Sequence, residues 1–124
     1  MGNSRPIRFR AWDKEFNRYE SDTIHMSLDM EGRVYNLQTG DGSDRYDVEQ
    51  FTGLKDKNGV EIYEGDIVSV IEYLNGKIDT RHNCNIIFIG GRFDIDKPYC
   101  HQSLSTNSVE VIGNIHENKD LLND

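Results

Sequence analysis

The sequence predicts a mainly β protein, and three observations support this. First, β-branched and aromatic residues cluster in short runs, of which Ile67 to Leu74 and Asn85 to Ile89 are the clearest. Second, turn-forming pairs such as Asn75-Gly76 and Gly90-Gly91 separate these runs at close intervals. Third, no long stretch repeats apolar residues every three to four positions, as an amphipathic helix does. Short strands with closely spaced turns are typical of barrels and sandwiches.

The N-terminal part of the chain predicts a strand, a turn and a return strand. Residues 5–12 alternate, and the alternation places Ile7, Phe9 and Ala11 on one face and Arg8, Arg10 and Trp12 on the other. Asp13-Lys14-Glu15 predicts a turn, and Phe16 to Glu20 predicts the return strand. A further turn at Glu31-Gly32 precedes a strand at residues 33–37, and the polar, Gly-rich residues 39–47 predict a loop.

The segment from Thr52 to Val68 carries the densest turn signals. Asn58-Gly59 fits the two central positions of a type I′ turn, where both residues need positive φ. Gly65-Asp66 predicts a second turn, which leads directly into the strand that starts at Ile67. The acidic residues of this segment are interpreted as solvated turn charges: Asp56, Glu61, Glu64 and Asp66.

The rest of the chain predicts a β-meander. Further strands are expected at residues 77–80, 85–89, 92–95 and 109–115. Residues 97–108 are polar and predict a loop. Asn118 is expected to cap one helical turn at residues 119–122.

The composition limits the kinds of molecule that the protein is suited to bind. The chain has 124 residues, which fits one domain, and its formal net charge is −8. Non-specific nucleic-acid binding depends on lysine and arginine, so an acidic chain is poorly suited to it unless basic residues cluster. Arg5, Arg8 and Arg10 form the one such cluster. It is interpreted as a strand face that pairs with acidic groups, with a nucleic-acid-binding strip as the alternative.

The sequence also predicts a compartment. It contains no secretory signal pattern and no apolar run near 18 residues, so we expect no membrane association and an intracellular protein. Its two cysteines, Cys84 and Cys100, fit a reducing compartment rather than a disulfide framework.

Metal and catalytic patterns are weak. A permissible zinc set consists of His82, Cys84, Cys100 and His101, but no C-x2-C pair is present. The segment Asp56 to Gly59 fails as a calcium loop, because Leu54 and Gly65 stand where carboxylates are required. No recognised nucleophile or metalloprotease motif occurs. We therefore expect no cofactor, no metal and no enzymatic activity.

Three aromatic residues near turns or strand ends are candidates for a partner surface: Trp12, Tyr63 and Tyr99. Each could instead close the end of a barrel by packing, and packing is favoured for Tyr63.

Three parts of the chain resemble the YopX family, small proteins of bacteriophages and prophages of Gram-positive bacteria. Thr52 to Asp56, Asn58-Gly59 and Ile62 to Val68 resemble its central signature. Ile7 to Asp13 resembles its opening strand, and Val111 to Asn118 with Leu121-Leu122 resembles its ending, although tyrosine is commoner at the place of His116. The resemblance implies an SH3-like β-barrel. It supplies no established activity, cofactor or catalytic residue.

Together these inferences predict one compact protein. Residues 1–48 are expected to form an N-terminal β extension packed on the barrel, and residues 49–124 the SH3-like barrel and C-terminal tail. The predicted function is that of a non-catalytic phage or prophage accessory protein in the cytoplasm of the bacterial host. It would act through protein–protein contacts, including self-association to a homo-oligomer. The alternatives are a nucleic-acid-associated barrel that uses the arginine strip, and a small hydrolase or metal-binding protein.

Overall fold

The computed structural model of the chain describes residues 6–22, 24–96 and 109–122, and it confirms a mainly β protein. The strands in chain order are β1 (Phe9–Asp13), β2 (Arg18–Tyr19), β3 (Met26–Leu28), β4 (Val34–Asn36), β5 (Tyr46–Lys55), β6 (Glu61–Tyr63), β7 (Asp66–Leu74), β8 (Lys77–Ile89), β9 (Arg92–Asp96) and β10 (Val109–Asn114). A short 3-10 helix, Lys119–Leu122, confirms the predicted helical turn. Contacts divide the described chain into two units. We call residues 7–50 the N-terminal unit, and residue 6 with residues 51–122 the C-terminal unit.

In the N-terminal unit, β1 is the central strand. It pairs antiparallel with β2 on one side and with the first half of β5 on the other, while β3 and β4 form a separate hairpin. Asn17 closes the β1–β2 turn at φ 55°, and Gly32 lies in the β3–β4 turn at φ 83°, as its turn signal predicted. The core contains Ala11, Val34 and Tyr46, with Met26 and Val48 packed against it.

Burial along β1 does not follow the two faces of the sequence pattern. Ala11 is buried, but Ile7 and Phe9 of its predicted face are 64% and 39% exposed, whereas Trp12 of the other face is only 5% exposed. Ile7 precedes the strand, which begins at Phe9, so the alternation does not extend that far. The pattern misleads because both faces of the strand's second half are covered, so burial there no longer follows the period of two.

The C-terminal unit is built on the second half of β5 and on a curled four-stranded sheet. The second half of β5 pairs with β6, and the sheet has the antiparallel order β10-β7-β8-β9. Register shifts interrupt the β10–β7 and β7–β8 pairings, and such bulges bend a sheet. The apolar cluster between these strands consists of Ile62, Val68, Val70, Cys84, Ile86, Ile95 and Val109. Closure of this unit into an SH3-like barrel stays a prediction.

Two Asn-Gly pairs adopt different turns. Asn75 and Gly76 have φ 53° and 80°, as a type I′ hairpin requires, so this prediction is confirmed. Gly59 has φ 83°, but Asn58 is not among the residues with positive φ, so a type I′ turn at that pair is wrong. The N–H of Gly59 bonds the carbonyl of Asp56 at 3.0 Å, which places the pair at the last two positions of a type I turn.

The final turn also differs in detail from its prediction. The Asn118 side chain does not point into the 3-10 helix, because its Oδ1 accepts a hydrogen bond from the backbone N–H of Asn114 at 3.2 Å. The carbonyl of Asn118 accepts the helical bond from Leu121. The predicted loop at 97–108 lies outside the described residues.

Candidate functional site

A groove of about 230 Å³ lies in the N-terminal unit, lined by residues of β1 and β3. Phe9 and Ala11 line it from β1, and Met26 and Leu28 line it from β3. Val34, which is 5% exposed, contributes an apolar surface from the core. This volume is below the roughly 300–1,000 Å³ of small-molecule pockets, and it suits one or two side chains better than a cofactor.

Exposed apolar side chains are concentrated in the same unit. Of the thirteen large apolar residues that are exposed in the described chain, eight lie before β5. They are Ile7, Phe9, Phe16, Ile24, Leu28, Met30, Tyr35 and Leu37. Clustered exposed apolar groups commonly indicate an interaction surface, whereas single ones need no explanation.

The rim of the groove is acidic. Glu20 and Asp22 contribute to its lining. The Asp22 carboxylate lies 2.7 Å from His25 Nδ1, and this hydrogen bond holds the pKa of Asp22 below its ordinary value. Asp22 is therefore ionised at neutral pH, beside an apolar surface.

The predicted basic strip is not a continuous cationic surface in the described residues. Arg10 Nε donates to the buried carboxylate of Glu49 at 2.7 Å, and its guanidinium lies 4.3 Å from the centre of the Tyr19 ring. The Tyr19 hydroxyl donates to the same Glu49 oxygen at 2.9 Å. Arg8 is exposed, and Arg5 lies outside the described residues. Arg10 thus supports the interpretation of a strand that pairs with acidic groups.

The aromatic candidates are placed differently from one another. Trp12 is buried, and its ring packs edge-on against Tyr19 at 5.0 Å between centroids, so packing describes it better than a partner anchor does. Tyr63 is half-buried, with its ring 5.4 Å from that of Phe51. Tyr99 lies outside the described residues.

A second polar cluster in the N-terminal unit centres on Asp13 and Arg45. Asp13 is 1% exposed, and its two oxygens accept hydrogen bonds from Arg45 Nε and Nη2 at 3.0 and 2.9 Å. The Arg45 bond lowers the pKa of Asp13, and the N–H groups of Phe16 and Glu15 act in the same direction. Arg45 also contacts Asp41 at 2.9 Å. This bidentate pair orders the β1–β2 turn rather than offering a reactive group.

The acidic residues of the central segment are not all solvated, which corrects their interpretation as turn charges. Asp56 is 5% exposed and Asp66 is 3% exposed. Asp56 Oδ1 accepts hydrogen bonds from the N–H groups of Asn58 and Val60, and Oδ2 accepts one from Val111. Burial alone would raise the pKa of Asp56, but these three bonds together hold it below its ordinary value. Asp66 similarly bonds the N–H of Tyr63 at 2.8 Å.

Only two of the four zinc candidates lie within the described residues. Cys84 is 1% exposed and lies in the apolar cluster of the C-terminal unit. Cys100 and His101 lie outside the described residues, and His82 is half-buried on β8. Among the described residues, no three histidine, cysteine or acidic side chains form a group that could hold a metal ion.

Sequence reasoning missed the groove. Its residues come from three short strands and from the segment after β2. The β3 strand is only three residues long, too short for a periodic pattern to predict. The alternation of Met26, Ser27 and Leu28 was the one available signal. Glu49 was also missed, because a single acidic residue in a strand does not reveal a buried partner.

Comparison with known proteins identifies similar chains. A family model described as "YopX protein" matches residues 8–123. The crystal structure of protein EF1440 from Enterococcus faecalis is similar, with a TM-score of 0.69 and 27% sequence identity. The alignment covers 96% of this chain and 99% of that one. No curated protein matches. Within the described residues, no helix has the length and apolar character needed to cross a membrane.

Proposed function

The chain belongs to the YopX family, and we propose that it is a non-catalytic accessory protein of a bacteriophage or prophage that binds another protein through the groove of its N-terminal unit. It would act in the cytoplasm of the bacterial host. The observation that carries this proposal is the apolar groove between Phe9 and Leu28, each 39% exposed at its edge.

The state of the charged groups supports a binding role over a catalytic one. Three buried carboxylates, those of Asp13, Glu49 and Asp56, each accept several hydrogen bonds from structural partners. A general base needs to reach a substrate proton, and these oxygens are directed at arginine, tyrosine and backbone donors instead. Partner binding needs only exposed apolar area and a polar rim, both of which the groove has.

The nucleic-acid alternative receives no comparable support. Arg10 is engaged with Glu49, so one member of the proposed arginine strip is already neutralised. We expect only non-specific DNA affinity, no tighter than about 10⁻⁴ to 10⁻⁶ M at physiological salt. Submicromolar DNA binding that disappears in the Arg8→Ala, Arg10→Ala double variant would promote this alternative.

The experiment uses two matched variants, Leu28→Asn and Leu37→Asn. Both residues are exposed leucines of the same unit, but only Leu28 lines the groove. Each tagged protein is incubated with nuclease-treated extract of a Gram-positive host, and captured proteins are purified and titrated by calorimetry. Circular dichroism verifies that the variants are folded.

The expected result is a purified partner that binds the wild type and Leu37→Asn with similar affinity. Its affinity for Leu28→Asn should be at least about tenfold lower. Self-association through the same groove is the other accepted outcome, seen in sedimentation as an oligomer that Leu28→Asn dissociates and Leu37→Asn does not. Equal binding by both variants, or neither a partner nor an oligomer, would overturn the proposal.

A further inference from the structure

We propose that Asn75 is a site of spontaneous covalent modification, where the side-chain amide is converted to a carboxylate by reaction with the backbone of Gly76 and with water. The proposal is independent of the groove and of its partner. It rests on a comparison within the chain, because Asn-Gly occurs twice, at residues 75–76 and 58–59, and the two pairs differ in their hydrogen bonds.

The reaction needs only the two residues, hydroxide and water. The backbone nitrogen of Gly76 loses its proton to hydroxide and attacks the side-chain carbonyl carbon of Asn75. The new C–N bond closes a five-membered succinimide ring, and the amide nitrogen leaves as ammonia after it takes a proton from water. A second water molecule then adds to either ring carbonyl and opens the ring, which gives aspartate or isoaspartate. Nothing is oxidised or reduced, and glycine favours ring closure because it has no side chain to hinder the attack.

The pair at residues 75–76 presents its attacking nitrogen to solvent. Asn75 and Gly76 form the two-residue loop of the β7–β8 hairpin, and both are exposed. The closing pair of this hairpin is Leu74 with Lys77, so the N–H groups of the loop itself are not part of the ladder. Within the described residues, the Gly76 N–H accordingly has no acceptor. This nitrogen can therefore lose its proton without giving up a hydrogen bond inside the protein.

The pair at residues 58–59 is also exposed, but hydrogen bonds hold it. The Gly59 N–H, which would have to attack, donates to the Asp56 carbonyl at 3.0 Å. The N–H groups of Asn58 and Val60 donate to Asp56 Oδ1 at 2.8 and 2.9 Å. Open space does not separate the two pairs, because a Cβ on Gly59 or on Gly76 would meet no atom within 4 Å. The bonds to Asp56 distinguish them, since ring closure at Asn58 requires this turn to open first.

Either product would change the hairpin. Aspartate adds one negative charge to a chain of net charge −8. Isoaspartate carries the main chain through the former side chain, which adds one carbon between Leu74 and Lys77. Because loop length fixes the register of a hairpin, the cross-strand pairs next to the loop should then lose their alignment. The β7 strand also pairs with β10, so the modification lies at the end of a strand that is internal to its sheet.

The experiment follows both asparagines in the full-length protein. Samples are incubated in mildly alkaline buffer, either folded or unfolded in guanidinium chloride, and peptide mass spectrometry measures the rate of amide-to-acid conversion at each site. Hydroxylamine, which cleaves a succinimide, tests for the ring intermediate. The matched variants are Asn75→Gly and Asn58→Gly. Each removes one reactive amide, and glycine readily adopts the positive φ of residue 75.

We expect the folded protein to convert Asn75 at least about tenfold faster than Asn58, and the unfolded chain to convert both at similar rates. Hydroxylamine should cut the folded wild type and Asn58→Gly between residues 75 and 76, but it should not cut Asn75→Gly there. Asp56→Ala, which removes the carboxylate acceptor, should raise the rate at Asn58 and leave the rate at Asn75 unchanged.

Two results would overturn the proposal. One is equal conversion of Asn75 and Asn58 in the folded protein. The other is a folded protein that converts neither residue while the unfolded chain converts both, because the hairpin would then protect Asn75. An Asn58 rate that Asp56→Ala leaves unchanged would overturn the protection assigned to the Asp56 carboxylate.

Discussion

The carboxylate of Asp56 accepts a hydrogen bond from the backbone N–H of Val111 at 2.9 Å, although the two residues are 55 positions apart. The other oxygen of Asp56 organises its own turn through Asn58 and Val60. One buried side chain thus shapes the β5–β6 connection and fastens it to β10. Its role is structural.

Replacement of Asp56 tests this connection. We expect Asp56→Ala to lower the free energy of unfolding by roughly 1–3 kcal/mol, because three backbone donors lose their acceptor. Urea denaturation at neutral pH measures the change. Asp96→Ala, at an exposed aspartate of the same unit, is the control and should stay within about 0.5 kcal/mol of wild type. Equal midpoints for the two variants would show that the Asp56 bonds contribute nothing.

Stability should fall in acid. The pKa values of Asp13 and Asp56 are lowered in the folded protein, so the unfolded chain binds protons at these residues first. Their contribution is complete above the ordinary aspartate pKa of 3.8 and is lost as pH falls from there through the lowered folded values. Urea midpoints between about pH 7 and pH 2 should show this decline, and Asp56→Asn should make it shallower. A midpoint that rises on acidification would contradict it.

The Asp13–Arg45 pair makes a direct prediction about titration. Without the Arg45 guanidinium, the buried Asp13 carboxylate loses its strongest hydrogen-bond donor, so Arg45→Gln should raise the pKa of Asp13. Carboxyl carbon shifts in NMR spectra recorded across a pH series report that pKa. Arg33→Gln, which removes the exposed partner of Asp29, should leave Asp13 unchanged. An Asp13 pKa that is the same in all three proteins would refute the assignment.

Gly65 tests the turn before β7. Its φ of 85° is unfavourable for β-branched residues, so Gly65→Val should destabilise the protein by roughly 1–3 kcal/mol. Asparagine tolerates this conformation, so Gly65→Asn should cost clearly less. Gly59→Val, at φ 83°, should behave like Gly65→Val. If valine and asparagine are equally tolerated at Gly65, backbone conformation is not what selects glycine there.

The purified protein should carry no stoichiometric zinc. Cys84 packs among Val68, Ile86 and other apolar side chains, where its thiol behaves as a small apolar group. We expect chelator to leave the melting temperature unchanged, and Cys84→Ala to destabilise less than Cys84→Ser, which buries a hydroxyl. About one zinc per chain in elemental analysis, lost in Cys84→Ser, would contradict this.

Local signals predicted much of the C-terminal unit. The Asn75-Gly76 hairpin and the Gly90-Gly91 turn were predictable, because their turns depend on the two central residues alone. Asn58-Gly59 is the same dipeptide as Asn75-Gly76, but its turn is organised by the Asp56 carboxylate, which also bonds Val111. A local sequence pattern cannot show a hydrogen-bond partner that is 55 residues away.

Local sequence patterns could not predict the groove or the buried charged residues, for a related reason. Trp12 and Glu49 lie on strands with sequence patterns that do not show which faces other elements cover. Glu49 is buried because Arg10 and Tyr19 converge on it, and this convergence depends on the pairing of β1 with β5 and β2. The net charge of −8 did not predict the acidic rim, because a whole-chain charge does not show where the acidic groups lie.

The strand order has a consequence for synthesis of the protein on the ribosome. Every strand pair of the N-terminal unit joins residues between 9 and 50, so its partners emerge early and close together. The β7 strand, by contrast, must wait for β10 to complete its pairing. A nascent chain stalled after residue 90 should already protect Ala11 from exchange while leaving Val68 accessible. The groove would thus be assembled on a nascent chain whose larger sheet is still incomplete.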